Sequence, residues 1–304
     1  MRLFTQKEED NMLYLADQWK DFQCLDAGDG EKLETWKGIT LRRPDPQAIW
    51  PKDDQDPSWN QADAIYHRSQ RGGGNWEYRK HLPQEWTIGY HGLTFKVSPT
   101  GFKHTGIFPE QAVNWDWMSS LIQAHKEENI RVLNLFAYTG CATMACAKAG
   151  AAEVVHVDAA KGMVQWAMEN RDLCRLQDHK IRFIVDDCLK FVEREKRRGR
   201  TYHGILMDPP SYGRGPNGEM WKFDKEVTAL LKACLDILDD HALFFLINSY
   251  TTGFSSLVLK DMFQTMVLPK HPDGTIDTGE IGIPLQHRPD LVLPCGIYAR
   301  WERK

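Results

Sequence analysis

The sequence predicts an α/β fold: a doubly wound, mostly parallel sheet preceded by a small β-rich domain. Three observations lead there. Apolar runs at 132–136, 154–157, 181–185, 205–207 and 242–247 have the length of buried strands. Helical patterns at 141–149, 162–173, 190–198, 225–238 and 255–266 alternate with them, the spacing of right-handed βαβ crossovers. Three runs end in acids, at Asp158, Asp186-Asp187 and Asp208, and doubly wound sheets bind ligands beyond the carboxyl ends of their strands.

The first strand, Val132-Leu133-Asn134-Leu135, runs into Phe136-Ala137-Tyr138-Thr139-Gly140, which reads as a tight turn. The small residues from Cys141 to Ala149 suit a helix packed closely on a sheet, with Gly150 as its stop. The second strand ends in Asp158, 18 residues after Gly140, where nucleoside-binding α/β folds place the carboxylate that accepts from ribose hydroxyls. Nicotinamide oxidoreductases and adenosylmethionine-dependent enzymes share that device. A dinucleotide needs G-x-G-x-x-G for its pyrophosphate, whereas Gly140 is followed by Cys141-Ala142-Thr143 and no glycine before Gly150. Adenosylmethionine carries no phosphate, so the spacing favours it. A nicotinamide oxidoreductase stays as an alternative.

The third strand stops at Asp186-Asp187. A carboxylate there could accept from an adenine amino group, and one of the pair is also placed to cap the amphipathic helix that begins near Leu189. The fourth reads Ile205-Leu206-Met207-Asp208-Pro209-Pro210-Ser211-Tyr212. Neither proline can donate a backbone hydrogen, so the carbonyls of Asp208 and Pro209 are free to accept from a substrate amino group, with Tyr212 placed to stack on a flat ring. The plain alternative is a strand exit punctuated by prolines. The fifth, 242–250, is too short to cross a bilayer and reads as a central strand. The stretch 291–301, broken by Pro294 and Gly296, supplies a last antiparallel strand.

Ahead of these, residues 21–36 alternate around Gly28-Asp29-Gly30, a hairpin signal, and 85–97 read as a second hairpin. Prolines 44, 46, 51 and 57 mark a loop between them. The division expected is a β-rich domain over 1–99 and a catalytic domain over 100–304, and 304 residues with 42% hydrophobic side chains can bury both interiors.

A net charge of −4 does not advertise nucleic-acid binding, but two local clusters could serve. Arg194, Lys196, Arg197, Arg198 and Arg200 read more simply as a helix end that complements its dipole. Arg68, Arg71, Arg79 and Lys80 surround Gly72-Gly73-Gly74 with Tyr66, Trp76 and Tyr78 interleaved, a pattern that suits single-stranded RNA. Seven cysteines without C-x-x-C or Cys/His spacing argue against zinc and disulfides and for a cytoplasmic chain without metal. Residues 1–10 lack the apolar core of a signal peptide. Cys141 and Cys146 read as packing residues, and His104 is the histidine of interest.

Residues from Phe102 to Thr252 resemble the bacterial large-subunit ribosomal-RNA methyltransferases of the I and K/L group. The matches are Thr105-Gly106-Ile107-Phe108-Pro109-Glu110-Gln111, residues 134–140, Asp158 with Ala167-x-x-Asn170, Asp186-Asp187, and Asp208-Pro209-Pro210-Ser211-Tyr212. The resemblance implies a class I, Rossmann-like methyltransferase that uses S-adenosylmethionine, with an RNA partner and no membrane. It implies that Phe136, Tyr138, Thr139 and Gly140 hold the methionine part, Asp158 the ribose, and Asp187 with Cys188 the adenine. Gln111 joins these cofactor contacts, and Asp208, Pro209, Pro210 and Tyr212 form the acceptor side.

One departure sharpens this. Cytosine-C5 enzymes of the group carry a thiol beyond the fifth strand, to add to the ring, yet residues 247–253 contain no cysteine. A ring nitrogen needs no such activation. Methylation of a ribosomal-RNA base at nitrogen is therefore the expected activity, with cytosine-C5 methylation and a non-catalytic RNA-binding or assembly role as alternatives.

Overall fold

The computed structural model describes residues 12–69, 73–101, 103–125, 129–215 and 218–304. Residues 1–10, Arg71, Gly72 and Phe102, which entered the expectations above, lie outside the described residues.

The chain opens with β1 (Met12–Leu15), then a meander of β2 (Phe22–Gly28), β3 (Glu31–Trp36) and β4 (Ile39–Pro44), followed by β5 (Ala64–Arg68) and β6 (Gly74–Tyr78). A hairpin follows, β7 (Trp86–Tyr90) and β8 (Leu93–Val97), and helix α1 (Ala112–Ala124) leads into the large sheet. Its elements alternate as β9 (Arg131–Leu135), α2 (Cys141–Lys148), β10 (Glu153–Asp158), α3 (Lys161–Leu173), β11 (Ile181–Val185), α4 (Cys188–Arg197) and β12 (Gly204–Met207). A short hairpin, β13 (Tyr212–Arg214) and β14 (Met220–Lys222), precedes α5 (Phe223–Leu235), β15 (Phe244–Ser249) and α6 (Ser256–Met262). Two long strands, β16 (Gly274–Pro284) and β17 (Val292–Arg303), complete the chain.

The large sheet has eight strands in the order β1-β16-β17-β15-β12-β9-β10-β11. From β15 to β11 every pairing is parallel, while β17 runs antiparallel to both β15 and β16. Strand order reverses at β9: the chain steps outward through β10 and β11, then returns to place β12 on the other flank of β9. Such a switch point opens a crevice at the carboxyl ends of the two strands. Neighbouring residues feed opposite faces, as the strand period of two requires. Phe244 and Leu246 join the core shared with the N-terminal strands and α1, whereas Phe245 and Ile247 pack with α4 and α5.

The parallel strands and the helices α2 to α6 lie within a few residues of their expected places. The last helical pattern, expected over 255–266, is α helix only to Met262 and continues as a π-helical turn, Phe263–Val267. Three features were not expected. The C-terminal region supplies two long antiparallel strands rather than one, because Gly274–Pro284 is too polar and glycine-rich to show a buried-strand pattern. Met12–Leu15 leaves the N-terminal region and pairs in parallel with Gly279–Gly282 at the edge of the large sheet. No break in packing marks Pro99 either, since one core cluster contains Phe22, Trp36, Ile88 and Phe95 together with Trp115, Val132 and Leu246.

Candidate active site

The turn after β9 sets the geometry. Phe136 and Tyr138 adopt left-handed backbone conformations, with φ of 54° and 50°, and Gly140 follows at 82°. A non-glycine residue there costs on the order of 1–2 kcal/mol, so the surroundings must hold the turn. They do so through hydrogen bonds. Tyr138 N–H donates to Asp158 Oδ2 (2.8 Å), Ala137 N–H to the Val157 carbonyl (3.0 Å), and Asn170 Nδ2 to the Thr139 carbonyl (2.9 Å). The Thr139 hydroxyl donates to the Gly106 carbonyl at 2.5 Å. A Cβ on Gly140 would lie 2.9 Å from Ala167 Cβ, so the glycine is fixed by close helix packing as well as by φ. Behind the turn, Asn134 Nδ2 donates to Thr143 Oγ1 (2.9 Å), which in turn bonds His156 Nδ1 (3.0 Å). Burial lowers the pKa of His156 to about 3 and keeps it neutral.

Asp208 lies across the crevice, directly after β12. Phe108, Gln111, Asn134, residues 136–142, Met207 and Asp208 line one cleft. Asp208 Oδ1 is enclosed and receives no hydrogen bond. Burial first, and the neighbouring Glu110 carboxyl second, push the pKa of Asp208 up to about 7. Pro209 is buried and Pro210 exposed. The Pro210 carbonyl is already used, accepting from Trp221 Nε1 at 2.7 Å, and the Trp221 ring lies 4.9 Å from Phe136. Hairpin β13–β14 thus folds back over the turn.

A buried polar wall closes the other side. Gln111 Nε2 donates to the Tyr250 hydroxyl (2.6 Å), while Gln111 Oε1 accepts from Asn114 (2.8 Å) and Asn248 (2.9 Å). Asn114 Oδ1 accepts twice from Arg300, at 2.9 and 2.6 Å. The Tyr250 hydroxyl donates to Glu110, whose pKa burial raises. The Arg300 guanidinium lies 4.4 to 4.9 Å from the ring centres of Tyr14, Trp117 and Tyr298, so its cationic face is sandwiched and its donors point at the wall.

The remaining expected residues fall in different places. Both Asp158 oxygens accept from backbone, Tyr138 N–H and Ala160 N–H (2.8 Å each). Asp187 caps α4, accepting from Lys190 N–H at 2.9 Å, and Asp186 pairs with Arg194. Cys188 is the buried first residue of α4, its thiol held protonated by burial. Cys141 lines the cleft, yet burial pushes its thiol far above its ordinary range. Tyr212 does not line the cleft. It is 52% exposed on the hairpin, and its hydroxyl contacts Met220 Sδ at 3.2 Å. Glu110, Asn114, Tyr250, Asn248 and Arg300 were not singled out as site residues; Glu110 sat in the quoted motif beside Gln111, but nothing local marks Arg300, which reaches the site only through the antiparallel β15–β17 pairing.

Residues 56–257 match the family model described as S-adenosylmethionine-dependent methyltransferase. The chain belongs to this family. A solved SAM-dependent methyltransferase from Agrobacterium tumefaciens is 36% identical, with a TM-score of 0.91 over 96% of this chain and 94% of that one. Ribosomal RNA large subunit methyltransferase K/L of Colwellia psychrerythraea is 33% identical over 150 residues, 49% of this chain and 20% of the relative. Ribosomal RNA large subunit methyltransferase I of Salmonella arizonae is 30% identical over 194 residues, 62% of this chain and 43% of the relative. The matched stretch thus spans less than half the length of either curated relative.

The methyltransferase uses S-adenosylmethionine, and its residues fit that group. The unpartnered Asp208 oxygen, the left-handed turn at 136–140 and the start of α2, where Cys141 and Ala142 line the cleft, converge at the switch point. No group of three or more potential metal-binding side chains occurs among the described residues, and no helix among them is long and apolar enough to cross a membrane.

Proposed function

We propose that the methyltransferase modifies a nitrogen on a base of ribosomal RNA. The observation that carries this is the cleft itself: Asp208, whose Oδ1 has no hydrogen-bond partner, lines it together with the turn at 136–140, and the cysteine on its lining, Cys141, is held as a thiol by burial. Attack on a pyrimidine ring carbon needs a thiolate. A nitrogen lone pair does not. The names of the K/L and I relatives support ribosomal RNA as the acceptor, and a cytoplasmic location goes with that substrate.

In this reading the turn at 136–140 and the N–H groups of α2 hold the methionine moiety. Asp158 keeps lone pairs for the ribose hydroxyls beyond its two backbone bonds, and Asp187 and Cys188 flank the adenine, the Asp187 carboxylate serving α4 as well. S-adenosylmethionine supplies an activated methyl group on a sulfonium. Asp208 orients the acceptor nitrogen, accepting an N–H where one is present, and with a pKa near 7 it can take the proton released after transfer to an amino group. Gln111, Asn114, Tyr250 and Arg300 keep that wall rigid. Tyr212, exposed on the hairpin, meets the acceptor outside the cleft.

The test is tritiated methyl transfer to ribosomal RNA purified from a strain lacking this gene, with mass mapping of the product. A labelled base nitrogen is expected. Label on a cytosine carbon, with a denaturant-stable adduct on 5-fluorocytosine RNA, would favour the C5 alternative, and no label in RNA would refute the substrate.

A further inference from the structure

The amide oxygen of Asn or Gln only accepts and its nitrogen only donates, so each amide in a bonded network constrains the next. Arg300 can only donate. Its Nε and Nη2 reach one atom of Asn114, at 2.9 and 2.6 Å, and that atom must therefore be the oxygen. Asn114 Nδ2 is left to face Gln111 and Asn248, where it donates to Gln111 Oε1 at 2.8 Å and to Asn248 Oδ1 at 3.0 Å. Asn248 Nδ2 donates back to Gln111 Oε1 at 2.9 Å, which fills both lone pairs of that oxygen. Gln111 Nε2 points the other way and gives one hydrogen to the Tyr250 hydroxyl at 2.6 Å. Its second N–H has no partner among the described residues.

The three amides would bond one another equally well with every direction reversed. Asn114 Oδ1 would then accept from Gln111 and Asn248, Gln111 Nε2 would also donate to Asn248, and Gln111 Oε1 would face the Tyr250 hydroxyl, which can donate as readily as accept. Only Arg300 tells the two arrangements apart. It is buried on β17, and the rings of Tyr14, Trp117 and Tyr298 hold its guanidinium at 4.4 to 4.9 Å, so it cannot turn away from Asn114. What the choice changes is the cleft. Gln111 lines it beside the turn at 136–140, Cys141, Ala142 and Asp208, and the observed direction offers a bound ligand an N–H there, whereas the reversed one would offer an oxygen.

We propose that Arg300 is a positioning residue for S-adenosylmethionine: acting through Asn114, it holds Gln111 with an N–H toward the cleft, and that N–H donates to the carboxylate of the methionine moiety. This rests on the placement of that moiety at the turn and α2 given above, and not on the identity of the acceptor. A carboxylate accepts only, and a hydrogen bond to an ionised oxygen is about twice as strong as a neutral one. In a cleft that already holds Asp208, an amide oxygen in the same place would repel it.

The test is calorimetric titration of the full chain with S-adenosylmethionine and with decarboxylated S-adenosylmethionine, the number of sites per chain reporting the folded fraction. Asn114→Asp keeps the shape and pairs its new charge with Arg300, but it has no hydrogen to give, so Gln111 must reverse. Affinity for S-adenosylmethionine should fall about tenfold or more, and affinity for the decarboxylated probe should not change. Gln111→Met, which removes the N–H without adding charge, should lose as much, and the double variant Asn114→Asp/Gln111→Met should lose no more than Gln111→Met alone. Arg300→Lys, which keeps a buried donor to Asn114, should bind more tightly than Arg300→Met. Wild-type affinity in Asn114→Asp, an equal loss for both probes, or additive losses in the double variant would overturn the proposal. A wild-type chain that binds the decarboxylated probe as tightly as S-adenosylmethionine would instead remove the placement of the methionine moiety, and the role of Arg300 with it.

Discussion

Replacing Asp208 by Asn should stabilise the methyltransferase at neutral and alkaline pH while abolishing most of its activity. Burial and Glu110 raise the Asp208 pKa from 3.8 to about 7. In the unfolded chain this carboxyl ionises near pH 4, whereas in the folded chain it keeps its proton until about pH 7. The unfolded state is therefore favoured increasingly across that window, and the loss is complete above it. A shift of about 3 units is worth at most about 4 kcal/mol. Access of water through the cleft reduces this, so a gain of about 2–4 kcal/mol is expected for Asp208→Asn at pH 8, falling towards zero near pH 4. Urea unfolding of both proteins at pH 4.5, 6 and 8 measures the difference directly. A variant less stable than wild type at pH 8, or a difference independent of pH, would refute the electrostatic account of the site. The same variant should lose about two or more orders of magnitude in methyl-transfer rate with only a modest change in cofactor affinity. Normal transfer would return the Asp-Pro-Pro segment to a plain strand exit.

Asp158→Ala should weaken S-adenosylmethionine binding at least tenfold by calorimetry, because it removes a charge-assisted acceptor and the anchor of Tyr138 N–H together. Tyr250→Phe deletes the hydroxyl that joins Gln111 to Glu110 and should slow methyl transfer about tenfold. Tyr212→Ala, by contrast, should act on RNA affinity and leave cofactor binding intact, as its exposed position requires. Gly106→Ala would drive a Cβ into the Trp166 ring at a φ of 99° and should lower the thermal midpoint by several degrees, which calorimetric scanning can read. Incubation with 5-fluorocytosine RNA should leave no denaturant-stable adduct, since the Cys141 and Cys188 thiols are both held protonated.

The central strands of the parallel half were legible because they are buried on both faces, and burial writes a continuous apolar run, as in Phe244–Ser249. The acids that close those runs were legible for the opposite reason: Asp158, Asp187 and Asp208 are polar where the apolar pattern stops. Function followed from the motifs around them, since a carboxylate at a strand end can also cap a helix, as Asp187 does, or anchor a turn, as Asp158 does. Tertiary structure decided the rest. Phe136 and Tyr138 carry no local mark of a left-handed backbone, and Asp158, Asn170 and Gly106 impose it from 20, 31 and 33 residues away along the chain. Arg300 joins the site from 186 residues beyond Asn114. Tyr66 and Trp76 showed the converse, members of a basic and aromatic alternation whose rings turned inward to hold the carbonyls of Gly101 and Thr100. Sequence periodicity reports what a residue's own strand or helix buries, whereas the carboxylate oxygen left without a partner at Asp208 depends on which distant groups packing brings beside it.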